Sequence, residues 1–586
     1  MARVLFDLLL RVRCGFVLFG ALDGRRGCYG GRAGRPMVAW RSLALSAMLA
    51  CCLLVDASMA AEAPKIERLF PPGLQRGTTT TVKLVGKAGD GPLRVWSDSD
   101  QLSLQISEKQ DTAELTAAAD MAPGLHWLRF YNDHGATELL PCFVGLIPEA
   151  EAAEPHNDVS TAQPVELPSV TVNGVLEKSE DVDLFAVSLT AGQTLVASVQ
   201  AGRELGSPMD AVLQVLDPAG TVVAFNDDDH GFDPQIVYTA PRDGSYFIRI
   251  FAFPATPNST IRMAGGATYV YRLTLTTEAF IDHVRPAMVD PTKESNVAVH
   301  GWNLSDEQRQ LTIPGFTTDF TSIGDGFANA HQLKSCHHPS LVESSEQPQT
   351  LPVPATVSGC ISAAGETDSF TIAGTKGLKL TIEVAGRSLS SVLDPVVAVL
   401  DESGKVLKEA DDRSRGDLDT DLAVTLKADG LHTITVTDRY GSGGERYFYA
   451  LTCRETVVDF ALTVKSNSFV LPTDKPLEIP VAVSRNNGFA DAISVSMTGL
   501  PAGVTAAVVQ SAKDGDTSKS VTLKIERGQF SEGFSGLIAI SGRVRESESV
   551  TLATAPVPNT STPTTQIWLT IPKVSEEAAE AEKAAK

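Results

Sequence analysis

The stretch MDAVLQVLDPAGTVVAFNDDD, Met209 to Asp229, decides the fold, because the chain contains it twice. Its copy, LDPVVAVLDESGKVLKEADDR, begins at Leu393. Asp210 falls on Asp394, Asp217 on Asp401 and Gly220 on Gly404. In each copy an apolar run meets an Asp/Gly turn and a second β-prone run follows, the pattern of a β-hairpin. Upstream, VNGVLEKSEDVDLFAV from Val172 aligns with VSGCISAAGETDSFTI from Val357, an offset of 185, and puts Asp183 on Asp368. Downstream, Asp243-Gly244-x-Tyr246-x-Ile248 aligns with Asp429-Gly430-x-His432-x-Ile434.

A second repeat encloses the first. IERLFPPGLQRGTTTTVKLVG, from Ile66, aligns without a gap with IDHVRPAMVDPTKESNVAVHG, from Ile281, at an offset of 215. Pro71 falls on Pro286, Val82 on Val297 and Gly86 on Gly301. The chain is thus organised as A–B–A′–B′ plus a remainder. Segments such as TLVASVQ, YFIRIFAF and YVYRLTLTT read as strands bounded by Gly, Pro, Asp and Asn. The expected fold is all-β, a tandem array of antiparallel sandwich or jelly-roll domains. Helical periodicity is nearly absent before the tail VSEEAAEAEKAAK, from Val574, which has no apolar face.

With 586 residues the chain is too long for one core and long enough for roughly three to five domains. The formal charge is -22; the first 60 residues carry a net +5, leaving -27 for the rest. So acidic a body repels phosphate backbones, which excludes nucleic acid as an expected partner. The basic start Met37–Arg41, the apolar run SLALSAMLACCLLV (Ser42–Val55) and Ser58-Met59-Ala60 read as an export signal cleaved before Ala61, with Met37 the candidate true start. Cys51 offers a rival lipoprotein reading, although MLAC is a poor lipobox. No later segment reaches the 18 or more apolar residues of a membrane helix, so no membrane insertion is expected after cleavage. The expected location is periplasmic, cell-surface or extracellular. Four cysteines remain, Cys142, Cys336, Cys360 and Cys453. They allow three pairings; Cys360 and Cys453, near the two ends of one predicted domain, are the favoured pair.

Several of these residues carry a resemblance. GluProHisAsnAsp at 154–158, the V-x-G step, Asp183-x-Phe185, the Leu-Asp-x-x-Gly turn at 216–220, Asn-Asp-Asp at 226–228 and Asp-Gly-x-Tyr at 243–246 make the B modules resemble the bacterial pre-peptidase C-terminal domain. The second copy departs from the pattern, with ValGluSerSerGluGlnPro at 342–348 and His432 in place of Tyr. The A modules resemble IPT/TIG immunoglobulin-like sandwiches. The remainder resembles sandwich domains appended to secreted bacterial surface proteins and glycosidases. The resulting division is a leader at 1–60, IPT/TIG-like modules at 61–148 and 278–345, jelly rolls at 155–277 and 350–454, an immunoglobulin-like sandwich at 458–573 and a tail at 574–586. The resemblance implies jelly-roll accessory domains of secreted proteases and surface proteins, some related collagen-binding members of which hold calcium. It points to Glu154, Asn157, Asp158, Asp181 and Asp183 as Ca²⁺ ligands, all hard oxygen donors. The alternative for the two aspartates is a turn cap before the strand DLFAV.

The acidic stretch AFNDDDHGFD, Ala224 to Asp233, is a second candidate, through Asn226, Asp227 and Asp228. An EF-hand is excluded, since a loop starting at Asn226 has Val237 where the bidentate acid belongs. A looser cation cage and a solvated hairpin loop are the two remaining readings, the loop being preferred. Cys336-His337-His338 is read as linker or disulfide material, because successive residues of an extended chain point to opposite sides. Gly533-Phe-Ser535-Gly536 fails G-x-S-x-G, and neither HExxH nor a Walker loop occurs. Trp96, Trp127 and Trp302 are read as core, with a sugar platform the alternative. The functional expectation is a non-catalytic, exported binding and spacer protein that recognises protein or polysaccharide of the envelope or matrix. The alternatives are a secreted hydrolase, an accessory subunit that targets one, and a purely structural envelope component.

Overall fold

A computed structural model describes residues 61–256, 262–545, 549–558, 560 and 563–574. The proposed leader at 1–60 and the tail after Val574 lie outside the described residues. Those described are almost entirely β, in a series of paired sheets. Their alternating sequence decides this: in Thr420–Thr425 and Ser520–Glu526 every second side chain is buried, as one apolar face of a sheet requires.

Module B is two five-stranded sheets. One runs Glu149–Glu151, Ser169–Val175, Val270–Thr276, Thr194–Gln200, Gln235–Thr239; the other runs Gln163–Pro164, Asp183–Leu189, Gly244–Pro254, Met209–Leu216, Val222–Asn226. Between them lie Val172, Phe185, Leu213, Tyr246 and Leu273, all excluded from solvent. Module B′ repeats this strand order from Ser340–Val342 to Val406–Ala410. The register shift between Val215 and Leu216 recurs between Val399 and Leu400. The first strand of B begins at Glu149, ahead of the boundary expected at 155, and pairs in parallel with Ser169–Val175.

Modules A and A′ also share a device. Lys65–Phe70 bulges between Ile66 and Arg68 against Thr79–Lys87, and Phe280–Arg285 bulges between Ile281 and His283 against Ser295–Trp302. Gly86 and Gly301 lie opposite these bulges, where an added Cβ would collide with the carbonyl oxygens of Lys65 and Phe280. That explains the aligned glycines. A has a four-stranded and a five-stranded sheet and A′ only two of three strands. The C-terminal module is built around the long strand Phe534–Val544, which pairs with Ile493–Thr498, Val550–Thr554 and Ile567–Ile571.

The array doubles back. The Arg129 guanidinium of A is fully buried and donates to Asn467 Oδ1 (2.8 Å) and to the Gln566 carbonyl (3.2 Å) of the C-terminal module. Trp568 packs against Tyr131 and Trp96, with ring centroids 4.9 and 6.3 Å apart. Trp302 packs on Phe280 in a cluster with Ile147 and Val196, which joins A, B and A′. These tryptophans fill joints between modules.

The favoured disulfide is overturned. Cys360 lies opposite Phe448, and Cys453 opposite Ala355, on the paired strands Ala355–Cys360 and Phe448–Glu455. Five residues of strand separate them, roughly 17 Å at the ordinary rise, whereas bridged Cα atoms lie about 4.4–6.8 Å apart. All four cysteines are free and buried. Burial pushes the Cys142 and Cys453 thiols up to about 12, so they are packing groups.

Candidate functional site

The entry to module B brings together part of the expected cation set and adds a residue to it. Asp183 opens the strand Asp183–Leu189, and Asp181 precedes it; both are buried. Glu154 and His156 come from the segment that follows the first strand of B. Donor atoms of Glu154, His156 and Asp183 lie within 4.8 Å of one another. His156 Nε2 is 3.5 Å from Asp183 Oδ2, and its Nδ1 is 3.7 Å from Glu154 Oε2. The imidazole is buried on the Phe185 ring, with centroids 5.2 Å apart. Burial opposes charge on His156, but Asp183, Glu154 and Asp181 outweigh it and raise its pKa. Burial, with Asp183 and Asp181 nearby, raises that of Glu154.

A glycine makes this arrangement sterically possible. The Tyr271 ring lies where a Cβ on Gly174 would stand, and its hydroxyl donates to Asp183 Oδ2. Gly174 belongs to the V-x-G step, so that motif is the space for a tyrosine on the neighbouring strand. Burial, then Asp183, holds the Tyr271 phenol well above its ordinary pKa, and it stays a donor. Asn157 and Asp158 lie outside the cluster. The exposed Asp158 Oδ1 accepts from the Ser160 amide (2.8 Å), the Ser160 hydroxyl (2.5 Å) and the Thr161 amide (3.2 Å), a turn motif. Asn157 Oδ1 accepts from the His156 amide at 3.3 Å.

Module B′ keeps the tyrosine and the aspartate without the histidine. Tyr449 lies over Gly359 and donates to Asp368 Oδ2 at 2.6 Å. Glu343 approaches from the other side and accepts from the Cys360 amide at 2.9 Å. Burial, then the Glu343 carboxylate, pushes Asp368 up to about 8, so the pair retains a proton near neutral pH.

The acidic loop of B is exposed at Asp227 and Asp228, as in the solvated hairpin preferred on sequence grounds, and is tied to other elements at Asp229 and Asp233. Asn226 Oδ1 accepts from the Gln235 amide at 3.2 Å. Asp233 is buried, caps the short helix Gly202–Leu205 through the Gly202 (2.7 Å) and Arg203 (3.2 Å) amides, and is pushed up to about 6 by burial. Asp419 does the same in B′, accepting from the Gly386 (2.9 Å) and Ser388 (3.2 Å) amides. Asp229 is buried against another module: Arg446 of B′ grips both its oxygens and also reaches Asp282 of A′. Asp282 in turn holds His283 Nδ1 at 2.8 Å. The His283 ring is stacked between His300 (4.6 Å) and Phe448 (4.2 Å). Three modules are clamped at one arginine, which the two carboxylates keep charged.

A cleft of about 660 Å³ opens where A, B and A′ meet, lined by Arg76, Ser169, Glu278, Asn303, Gln308 and Asp325 among others. Arg76 donates to Asp325 across it at 2.7 Å. Cys336 is buried and within 3.5 Å of the His338 carbonyl, while His337 is exposed, so this run forms no cluster. Among the described residues no helix is long and apolar enough to cross a membrane.

Residues 181–252 match the profile of the bacterial pre-peptidase C-terminal domain. A protein described as "Probable subtilase-type serine protease" from Deinococcus radiodurans is 28% identical over 208 residues, 32% of this chain and 28% of the relative. The chain therefore spans under a third of that relative's length. Among solved structures, the pre-peptidase C-terminal domain of a Bacillus anthracis collagenase is 13% identical, covering 19% of this chain and 99% of its own at a TM-score of 0.15. A Bacteroides ovatus protein, SGBP-B of a mixed-linkage glucan utilization locus, solved with a heptasaccharide, is 10% identical over 68% of this chain and 76% of its own, at a TM-score of 0.13. The insect immune protein hemolin is 10% identical over 84% and 99%, at a TM-score of 0.21.

Proposed function

We propose that the chain is an exported, non-catalytic binding and spacer protein that recognises protein or polysaccharide of the cell envelope or matrix. The observation that carries this reading is the Arg446 clamp. It holds B, A′ and B′ in one fixed relation, and a preorganised surface loses less entropy on binding than hinged domains do. The cleft between A, B and A′ is then a shaped recess lined by hydroxyl, amide and charged groups, suited to a hydroxyl-rich or polar partner. The acidic body disfavours nucleic acid. Duplicated modules also fit presentation of surfaces better than a single reaction centre.

A second reading has one observation in its favour, the match of residues 181–252 together with the protease-named relative. In it, the chain brings a secreted hydrolase to its substrate. Pull-down with the purified protein from envelope and matrix fractions is the test. Retention of a polysaccharide or matrix protein, lost on Glu278→Ala in the cleft, supports binding. Co-purification of a secreted hydrolase supports the accessory reading, and turnover of casein or a polysaccharide by the chain alone overturns both.

A further inference from the structure

We propose that Glu154, His156 and Asp183 form a binding site for a divalent ion of the zinc class, a mixed nitrogen and oxygen site in place of the all-oxygen calcium cage expected from the sequence. The donor set is the first ground. Ca²⁺ takes six to eight oxygens. Here an imidazole stands between the carboxylates, and two of the five nominated oxygen donors, Asn157 and Asp158, are committed to local turn contacts. One imidazole with two carboxylates suits Zn²⁺ and its neighbours in the first transition row.

Burial without partners is the second ground, independent of the first. His156 is 1% exposed, yet neither ring nitrogen has a hydrogen-bond partner. Asp183 Oδ1 and Asp181 Oδ1 are likewise buried and unpartnered. Such groups are costly to bury unless something satisfies them, and those of His156 and Asp183 belong to the cluster whose donors lie within 4.8 Å of one another. One donor atom from each of the three side chains lies within 4.8 Å of the other two, and the 3.5 Å from His156 Nε2 to Asp183 Oδ2 suits two ligands of one ion. At 3.5 and 3.7 Å the ring nitrogens are beyond ordinary hydrogen bonds to the carboxylates. Two ligands of a tetrahedral zinc with bonds of about 2.1 Å stand about 3.4 Å apart. The side chain of Glu154 is 35% exposed and gives the ion a route from solvent.

Module B′ is an internal contrast. There the Ser369 amide is met by the Gln347 side chain, whereas in B the matching Leu184 amide is met by the His156 carbonyl. With no histidine available, Asp368 is paired to Tyr449 and Glu343 directly. The site is therefore assigned to B alone.

The test uses the chelator-treated, purified protein. Calorimetric titration with Zn²⁺ is expected to show one equivalent bound ahead of Ca²⁺, and Co²⁺ loading to give the visible absorption of a low-symmetry nitrogen and oxygen site. Glu154→Gln and His156→Gln should each weaken Zn²⁺ binding about tenfold or more. Glu154 lies at the solvent side, so its variant reports even if the histidine variant fails to fold. Tighter Ca²⁺ than Zn²⁺ binding, Zn²⁺ binding unchanged in Glu154→Gln, or no saturable binding of either ion would overturn the assignment.

Discussion

Arg446 and Asp229 stand 217 positions apart in the chain and form a two-pronged ion pair, with both Nη–Oδ distances at 2.8 Å. Asp229 is buried there, so the pair is a joint between modules as well as a surface contact. Removing the arginine strands a carboxylate in a protein interface. Arg446→Ala is expected to cost about 2–4 kcal/mol at that joint. Scanning calorimetry should show B, A′ and B′ separating into distinct transitions, and a single unchanged endotherm would contradict the clamp.

Asp368 supplies a pH dependence of definite sign. Its folded pKa, about 8, lies above the ordinary carboxyl value. The folded state therefore binds more protons between about pH 4 and 8, and stability falls as pH rises through that window. Asp368→Asn keeps an acceptor for Tyr449 and offers a donor to Glu343. The variant's melting temperature should match the parent at pH 4 and exceed it at pH 8.

His300 acts in the opposite direction. Burial, then the neighbouring Arg285 and His283, lowers it to about 4. The unfolded chain therefore binds the extra proton between about pH 6.5 and 4, and stability is lost as pH falls across that range. His331 is lowered to about 4 as well, again chiefly by burial, and adds to the loss in A′. Replacement of His300 by Gln should flatten the acid limb of a melting-temperature profile, and an unaltered limb would remove His300 as a cause.

Gly174→Ala puts a methyl group where the Tyr271 ring lies. Overpacking of this kind costs about 1–3 kcal/mol. The hydroxyl is also drawn away from Asp183, so the tyrosine ultraviolet difference spectrum should shift along with the denaturation midpoint. Gly266→Ala serves as control, since its backbone is not left-handed and the nearest atom to a Cβ there is Tyr269 Cδ2 at 3.8 Å, an ordinary contact.

Local patterning made the architecture legible. The apolar run in Met209–Leu216, the Asp217–Gly220 turn and the matching copy from Leu393 specify a hairpin twice over, and the strand order of B′ repeats that of B. What was hidden depends on distance along the chain. Tyr271 meets Asp183 across 88 positions, and no spacing rule connects them. Only the repeated glycines, Gly174 and Gly359, signal the tyrosines that need their space. The strand Glu149–Glu151 is too short to alternate and pairs in parallel, so it reads as linker. His156 stands within the motif at 154–158, but as an interruption of its oxygen-donor pattern. Its burial and its unpartnered nitrogens are properties of packing. In the acidic loop, turn chemistry accounts for the exposed Asp227 and Asp228, while Asp229 answers to a charge supplied by a different module.

The doubling back at Arg129 governs how this molecule can be taken apart. A truncation that ends before residue 458 would leave that guanidinium without Asn467 and Gln566 and bare the faces of Tyr131 and Trp96. The first module expressed by itself would display a sticky aromatic face that the whole protein keeps covered, and fragments that capture ligands or clump through it would report on the scissors rather than on the protein.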